Sequence, residues 1–103
     1  MNSLAFKLVD GVLTIYLRQD IDHHTAAEIR RGIDDEIAHA MPLCTVLNFS
    51  EVEFMDSSGV GLVMGRLKLM SQLGGELKLA GVNRVCERIL DLSGILEIVE
   101  ILK

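Results

Sequence analysis

The sequence predicts an α/β fold, in which one mixed β-sheet begins with a hairpin, continues through βαβ crossovers and is packed with helices. Three observations support this prediction. Two short alternating runs flank an Asp-Gly pair, three later segments have apolar residues at helical spacing, and apolar runs of strand length separate those segments. The resulting order, β-β-α-β-α-β-α-β, favours right-handed crossovers after the first hairpin.

The first three elements follow from local patterns. Residues 4–9 and 12–17 alternate, and Asp10-Gly11 between them favours a two-residue hairpin turn. The Thr25-x-x-Glu28 spacing predicts a capping box at the start of a helix, and Pro42 ends that helix. The apolar residues that recur along this helix every three or four positions are Ala26, Ile29, Ile33, Ile37 and Ala40.

The middle of the chain predicts a central strand and a second helix. Residues 43–49 form a near-continuous apolar run, which is typical of a central strand. A short apolar piece, 52–55, leads to Asp56-Ser57-Ser58-Gly59 and to a helix that we expect to reach Leu73 and to end at Gly74-Gly75. The residues of this helix that we assign to the core are Val60, Val63, Met64, Leu67 and Met70.

The last third of the chain repeats the alternation. Residues 77–80 predict a strand, and residues 95–102 predict the final one. Between them we expect a helix over 83–92 that is capped by Asn83 and turns Val85, Ile89 and Leu92 inward. Because no repeat, linker or low-complexity segment interrupts this order, we expect residues 1–103 to form one domain.

The composition narrows the possible functions. Half of the 103 residues are hydrophobic, which suffices for an aliphatic core without disulfides. The net charge of −5 disfavours contact with nucleic acid phosphates. Cys44 and Cys86 lack metal or redox spacing, and no apolar run approaches the ~20 residues of a membrane span. We therefore expect a cytoplasmic protein that binds neither nucleic acid directly nor a membrane.

The start of the second helix, Asp56-Ser57-Ser58-Gly59, is the strongest candidate site. Helix N-termini expose free N–H groups that attract hydroxyls and anions, although Asp and Ser are also ordinary N-cap residues. The helix contains Gly59, Gly61 and Gly65, and each glycine inside a helix costs roughly 0.8–1.0 kcal/mol relative to alanine. Helix stability does not explain them. Two uses of the glycine side remain open, namely packing against a neighbouring helix of the domain and binding a partner.

A second candidate cluster, residues 20–25, precedes the first helix. Adjacent histidines point in different directions on a helix or a strand, so we expect that His23 and His24 hold no metal together. Asp22 is a candidate helix cap. Because this loop and the loop before Ser57 both precede helices, we expect them to meet at the same sheet edge.

Neither cluster has the pattern of an enzyme site. Neither Ser57 nor Ser58 lies in a G-x-S-x-G nucleophile elbow, and the sequence contains no P-loop, dinucleotide fingerprint or metal constellation. We therefore expect no catalytic residue, no cofactor and no metal. A hydroxyl at a helix start without a base is a good target for modification. The alternative is a small anion- or nucleotide-binding domain that uses the N–H groups of residues 57–59.

Five segments together resemble the anti-sigma-factor antagonists of the STAS domain family. They are Asp22-His23-His24-Thr25-Ala26, Val46-Leu47-Asn48-Phe49, Phe54-Met55-Asp56-Ser57-Ser58-Gly59-Val60-Gly61, Gly65-Arg66 and Asp91-Leu92-Ser93-Gly94. The resemblance covers essentially the whole chain and implies a STAS-like domain. Two features depart from the family. Gln19 stands where a glycine is frequent, and a C-terminal helix of the family is expected to be missing or truncated after Lys103.

The resemblance implies a sporulation regulator that works by partner switching. In this family the dephosphorylated antagonist binds an anti-sigma factor that is also a serine kinase, and so releases a sigma factor for transcription. By position, the kinase would phosphorylate Ser57 and a serine phosphatase would restore it. We expect a monomer. The partner-binding residues that the resemblance implies are Asp22, His23, His24, Thr25, Asp56, Ser58, Gly59, Val60 and Gly61.

Overall fold

The computed structural model describes residues 4–102, which form one five-stranded sheet in the order β1-β2-β3-β4-β5. The strands are β1 (Leu4–Val9), β2 (Val12–Leu17), β3 (Cys44–Asn48), β4 (Glu76–Ala80) and β5 (Glu100–Leu102). The helices are α1 (Ala26–Ala40), α2 (Ser57–Gln72), α3 (Arg84–Leu92) and a short 3-10 helix, Ile95–Glu97. β1 and β2 are antiparallel, and β2 to β5 are parallel. The predicted mixed sheet with an initial hairpin and a central β3 is confirmed.

The hairpin at the N-terminal edge matches the prediction residue for residue. Val9 pairs with Val12, and the two residues between them, Asp10 and Gly11, have φ values of 50° and 79°. Positive φ at both central positions defines a type I′ turn, whose twist suits the flanking strands. The Asp-Gly pair therefore sets the register of the first two strands.

The helices cover one face of the sheet and bury an aliphatic core against it. Along β2, Leu13, Ile15 and Leu17 are buried, whereas Thr14 and Tyr16 on the opposite face are half-buried. The side chains that the helices add to this core include Ile29, Ile33, Ile37, Leu62, Val63, Met70, Cys86 and Leu90. Burying one such Leu, Ile or Val contributes about 1.5–3 kcal/mol, so this layer holds the sheet and helices together.

Helix α2 buries only part of the predicted stripe. Met64 is 44% exposed, and Val60 and Leu67 are only half-buried. The buried residues of α2 are Gly59, Leu62, Val63, Arg66 and Met70. The prediction is confirmed for Val63 and Met70 and wrong for Met64, while Val60 and Leu67 pack against the core without being fully buried. Because apolar residues occur on both sides of this helix, spacing alone does not fully identify the inward side.

The end of the chain also differs from the prediction. In α3, Cys86 and Leu90 are buried, whereas Val85 and Leu92 are exposed, so two of the three predicted inward residues are wrong. The helix is short, and the i, i+4 pair is its buried row. The final strand is shorter than predicted because Gly94, at φ 83°, turns the chain into the 3-10 helix before β5.

Candidate functional site

The loop after β2 and the loop before α2 lie side by side at the carboxyl edge of the sheet. Asp20 Oδ1 accepts hydrogen bonds from the backbone N–H groups of Glu53, at 2.9 Å, and Phe54, at 3.1 Å. The N–H of Ile21 donates to the carbonyl of Phe54 at 3.2 Å, and the N–H of Asp56 donates to the carbonyl of Ile21 at 3.0 Å. The predicted meeting of the two loops is confirmed.

A compact turn organised by Asp22 precedes α1. Its Oδ1 accepts from the N–H groups of His24, at 2.8 Å, and Thr25, at 3.0 Å. The hydroxyl of Thr25 accepts from the N–H of Asp22 at 3.0 Å and donates to the carbonyl of Asp20 at 3.1 Å. Thr25 therefore makes no helix cap, and the predicted capping box is wrong. The N–H of His24, as the largest favourable influence, lowers the pKa of Asp22 and keeps its carboxylate ionised.

The histidines and Gln19 beside this turn differ from what the sequence suggested. The rings of His23 and His24 lie together, with centroids 4.0 Å apart and planes tilted by 38°. They do not point apart because the turn is neither helix nor strand. No cluster of three or more His, Cys, Asp or Glu side chains suited to a metal occurs within residues 4–102. Gln19 does not have the positive φ that would require a glycine there.

Helix α2 begins with a cap that leaves one serine exposed. Asp56 Oδ1 accepts from the N–H of Ser58 at 2.8 Å, and the Asp56 carbonyl accepts from the N–H of Gly59 at 3.0 Å. Two of the three N–H groups that an anion-binding site at residues 57–59 would use are thus already engaged. Ser58 is half-buried, whereas Ser57 is exposed and its hydroxyl has no hydrogen-bond partner within the described residues.

Gly59 and Val60 lie on the side of α2 that packs against the domain. A Cβ on Gly59 would lie 2.7 Å from the sulfur of Met55, so a larger residue there would force the Met55 side chain to shift. Val60 is half-buried against the core. Both of these predicted site residues therefore lie largely on the side of α2 that faces the domain.

An open cleft of about 390 Å³ lies between α1 and α2, beside the start of α2. A Cβ on Gly61 or on Gly65 would meet no neighbouring atom within 4 Å. The glycines therefore make no close contact with another helix of the described chain, and they leave the cleft open. Of the two uses left open by the sequence, close packing against a neighbouring helix is not observed at Gly61 and Gly65 within the described residues, and partner binding stays a prediction. The residues that line the cleft are His23, Ala26, Ala27, Arg30, Ser58, Gly61, Leu62, Gly65 and Arg66.

Arg66 is the cleft residue that the sequence analysis left without a role. Its side chain is only 8% exposed, in the row of α2 that also holds Leu62 and Met70. The sequence contained a signal for this residue, since Arg66 lies four residues from an apolar residue on each side. A charge in such a buried row needs a partner of opposite charge. The sequence did not show which helix faces that row.

Comparisons with known proteins relate this fold to one family. The sequence profile of the STAS domain matches residues 3–103. An anti-sigma F factor antagonist from Paenibacillus polymyxa is 41% identical over 91 residues, which are 88% of this chain and 78% of that protein.

Solved structures agree with the sequence comparisons. A candidate anti-sigma factor antagonist from Thermotoga maritima superposes with a TM-score of 0.89 at 28% identity, covering 97% of this chain and 86% of its own. The anti-sigma factor antagonist SpoIIAA in its unphosphorylated form gives a TM-score of 0.81 at 28% identity, covering 97% and 88%. The phosphorylated form of SpoIIAA from Bacillus gives 0.72 at 28% identity, covering 97% and 91%.

Proposed function

This chain belongs to the STAS domain family of anti-sigma factor antagonists, and from that premise we propose that the start of α2 is a docking surface switched by phosphorylation of Ser57. The unphosphorylated chain binds an anti-sigma factor that is also a serine kinase, and a sporulation sigma factor is thereby released. Phosphate on Ser57 ends this interaction, and a serine phosphatase restores it. The chain acts in the cytoplasm as a monomer, and it is a regulator that performs no catalysis itself.

The observation that carries the proposal is the exposed hydroxyl of Ser57 at the first position of α2. It stands where the loops around Asp20 and Phe54 are hydrogen-bonded to each other, next to the cleft lined by Ser58. A kinase reaches such a hydroxyl without unfolding the domain. A partner that docks on the two loops covers it.

The position of Ser57 also accounts for the direction of the switch. A phosphate adds about −1.5 to −2 charges and three acceptor oxygens. At a helix N-terminus it meets the positive end of the helix dipole, so the helix tolerates it. At the centre of an interface the same charge must lose water or face repulsion, so the complex weakens while the fold stays intact.

Ser58 is a poorer phosphoacceptor for a structural reason. It is half-buried, its N–H is bound to the Asp56 carboxylate, and its side chain lines the cleft. A phosphate on Ser58 would lie inside the cleft, close to the Asp56 carboxylate, and the two negative charges would repel each other. Ser57 presents its hydroxyl to solvent.

The direct test is phosphorylation of the chain by the anti-sigma F factor of Paenibacillus polymyxa with ATP, followed by peptide mapping by mass spectrometry. We expect one phosphate, on Ser57, and none on the Ser57→Ala variant. The Ser58→Ala variant is the matched control and should still be phosphorylated. Phosphate on Ser58, or on neither serine, contradicts the assignment.

The anion-binding alternative is tested on the same samples. Titration of the chain alone with ATP and GTP should give no micromolar affinity, because the cap already occupies the N–H groups of Ser58 and Gly59. Micromolar binding without a protein partner would favour the alternative.

A further inference from the structure

We infer that the cleft between α1 and α2 is a receptor for a carboxylate side chain of the anti-sigma factor, with Arg66 at its floor. The inference rests on the proposed function and names the chemical group that the partner brings to that surface. Three features support it: the buried guanidinium, the charge of the cleft and the open space above it.

The guanidinium of Arg66 is buried and incompletely paired. Its Nε lies 2.9 Å from Asp34 Oδ1, but the N–H does not point at that oxygen with hydrogen-bond geometry. Its Nη1 is buried and has no hydrogen-bond partner among the described residues. Burial lowers the pKa of Arg66 while Asp34 opposes this, and the group remains a cation. A buried cation with undirected contacts is ready to accept a second anionic partner.

The lining of the cleft carries arginines and no carboxylate in an otherwise acidic protein. This lining contains Arg66, Arg30 and His23 and no Asp or Glu, although the chain as a whole has a net charge of −5. Asp34 contacts Arg66 from outside this lining, where it is 35% exposed. A negative group that enters the cleft would meet the two arginines and no carboxylate of the lining.

Space and position indicate that the negative group belongs to the docking partner. A Cβ on Gly61 or Gly65 would meet no neighbouring atom within 4 Å, so another chain can approach α2 closely at these two positions. Ser58 both follows Ser57 and lines the cleft, so a partner that covers Ser57 also covers this entrance. Covering it removes the remaining water from Arg66, which is costly unless the partner supplies an opposite charge. A guanidinium and a carboxylate form the best-matched pair for this purpose.

The same charge pairing explains how a phosphate on Ser57 would weaken the complex. A phosphate on Ser57 places negative charge next to the cleft entrance at Ser58. The incoming carboxylate is then repelled at the moment when it must enter. Phosphorylation thereby opposes the same charge pairing that stabilises the complex.

The experiment measures binding of the Paenibacillus polymyxa anti-sigma F factor by titration calorimetry, with thermal unfolding of each variant in parallel. Arg66→Gln leaves Asp34 without its partner and is expected to lose stability. The double variant Asp34→Asn/Arg66→Gln removes both charges, so we expect it to recover stability while its affinity stays lower than that of the wild type by roughly 30-fold or more. Asp34→Asn alone should bind at least as tightly as the wild type. Arg30→Gln, on the exposed side, should lose roughly threefold and become less sensitive to salt.

A double-mutant cycle then identifies the carboxylate. Acidic residues of the anti-sigma factor are changed to alanine one at a time, and one of them should weaken binding to the wild type but not to the double variant. The inference is overturned if the double variant binds like the wild type or if no acidic residue couples to Arg66. In that case a weakening effect of Ser57→Asp would leave the proposed function standing. Absence of binding by the wild-type chain would overturn both.

Discussion

Helices α2 and α3 both follow a loop at the carboxyl edge of the sheet, and both start with a side-chain cap. Asp56 Oδ1 accepts from the N–H of Ser58, and Asn83 Oδ1 accepts from the N–H of Cys86, each at 2.8 Å. The caps satisfy the same kind of free N–H group. The two helix starts differ in how the other polar groups around the cap are used.

At the start of α3, the remaining polar atoms are used within the fold. Asn83 Nδ2 donates to the carbonyls of Val52, at 3.0 Å, and Glu53, at 3.2 Å, so the capping residue also fastens the neighbouring loop. At the start of α2, Ser57 keeps an exposed hydroxyl, and Gly61 and Gly65 leave open space. A side-chain cap alone therefore does not distinguish the two helix starts. An exposed hydroxyl without a partner, and glycines that lower helix stability, distinguish the start of α2.

The largest expected effect tests the α2 side of this comparison. Ser57→Asp should weaken binding to the anti-sigma factor roughly 100-fold, because like charges brought together in an interface cost several kcal/mol. Its free energy of unfolding should change by about 0.5 kcal/mol or less, since an acidic side chain suits a helix N-terminus. Calorimetric titration and thermal unfolding measure the two quantities.

Ser71→Asp is the matched control for Ser57→Asp. It adds the same charge to the same helix about four turns away, so binding should be close to that of the wild type. Equal losses from the two variants would mean that net charge, and not position, controls docking. A large loss of stability in Ser57→Asp would mean that Ser57 is mainly a structural residue.

The next effect tests the α3 side. Asn83→Ala should lower the free energy of unfolding by about 2 kcal/mol, because it removes the cap and two hydrogen bonds to the adjacent loop. Chemical denaturation measures it. Asn83→Ser keeps an oxygen that can cap α3 but loses the Nδ2 donor to the two carbonyls, so its loss should be about half as large.

Binding to the anti-sigma factor completes that test. Asn83→Ala should keep nearly the wild-type affinity under conditions in which it is folded, since the residue's polar atoms are spent inside the domain. A loss of affinity equal to that of Ser57→Asp would erase the proposed difference between the two helix starts.

The smallest effect separates the glycines of α2 from one another. Gly61→Ala and Gly65→Ala should each raise the free energy of unfolding by about 0.8–1.0 kcal/mol, because a Cβ at either position meets no neighbouring atom and helix propensity improves. Affinity for the anti-sigma factor should fall as methyl groups narrow the cleft. Denaturation and titration of the same variants give both numbers.

Gly59→Ala is the control for these glycines. Its Cβ would lie 2.7 Å from the sulfur of Met55, so it should give no gain in stability. If Gly61→Ala and Gly65→Ala stabilise the chain without weakening binding, the cleft is not part of the docking surface.

Local signals predicted those parts of the fold that depend on a few consecutive residues. The Asp10-Gly11 turn, the end of α1 before Pro42 and the Asn83 cap all follow from backbone preferences and short-range hydrogen bonds. The position of the α1 start, with Thr25 at the N-cap, was predicted as well, but the capping box was wrong because the Thr25 hydroxyl bonds to Asp20 and Asp22 instead of to the helix. Such a choice depends on how a loop folds back, which spacing does not encode.

The candidate site divides in the same way. Asp56, Ser57 and the glycines were visible in the sequence, since hydroxyls at a helix start and unfavourable residues inside a helix are local facts. The buried side of α2 was only partly visible, because apolar residues lie on both sides of it and packing against the rest of the domain buries Leu62 and leaves Met64 exposed.

The sequence by itself determined the order of strands and helices, the hairpin, the helix start at Asp56 and the family to which these residues point. The tertiary structure alone decided that Asp20 joins the two loops, that the glycines stay uncovered and that Arg66 lies buried beside Asp34. The physical reason is the separation along the chain over which each kind of interaction acts. Turn, cap and helix preferences act within a few residues, whereas burial and charge pairing depend on which distant segments the fold brings into contact.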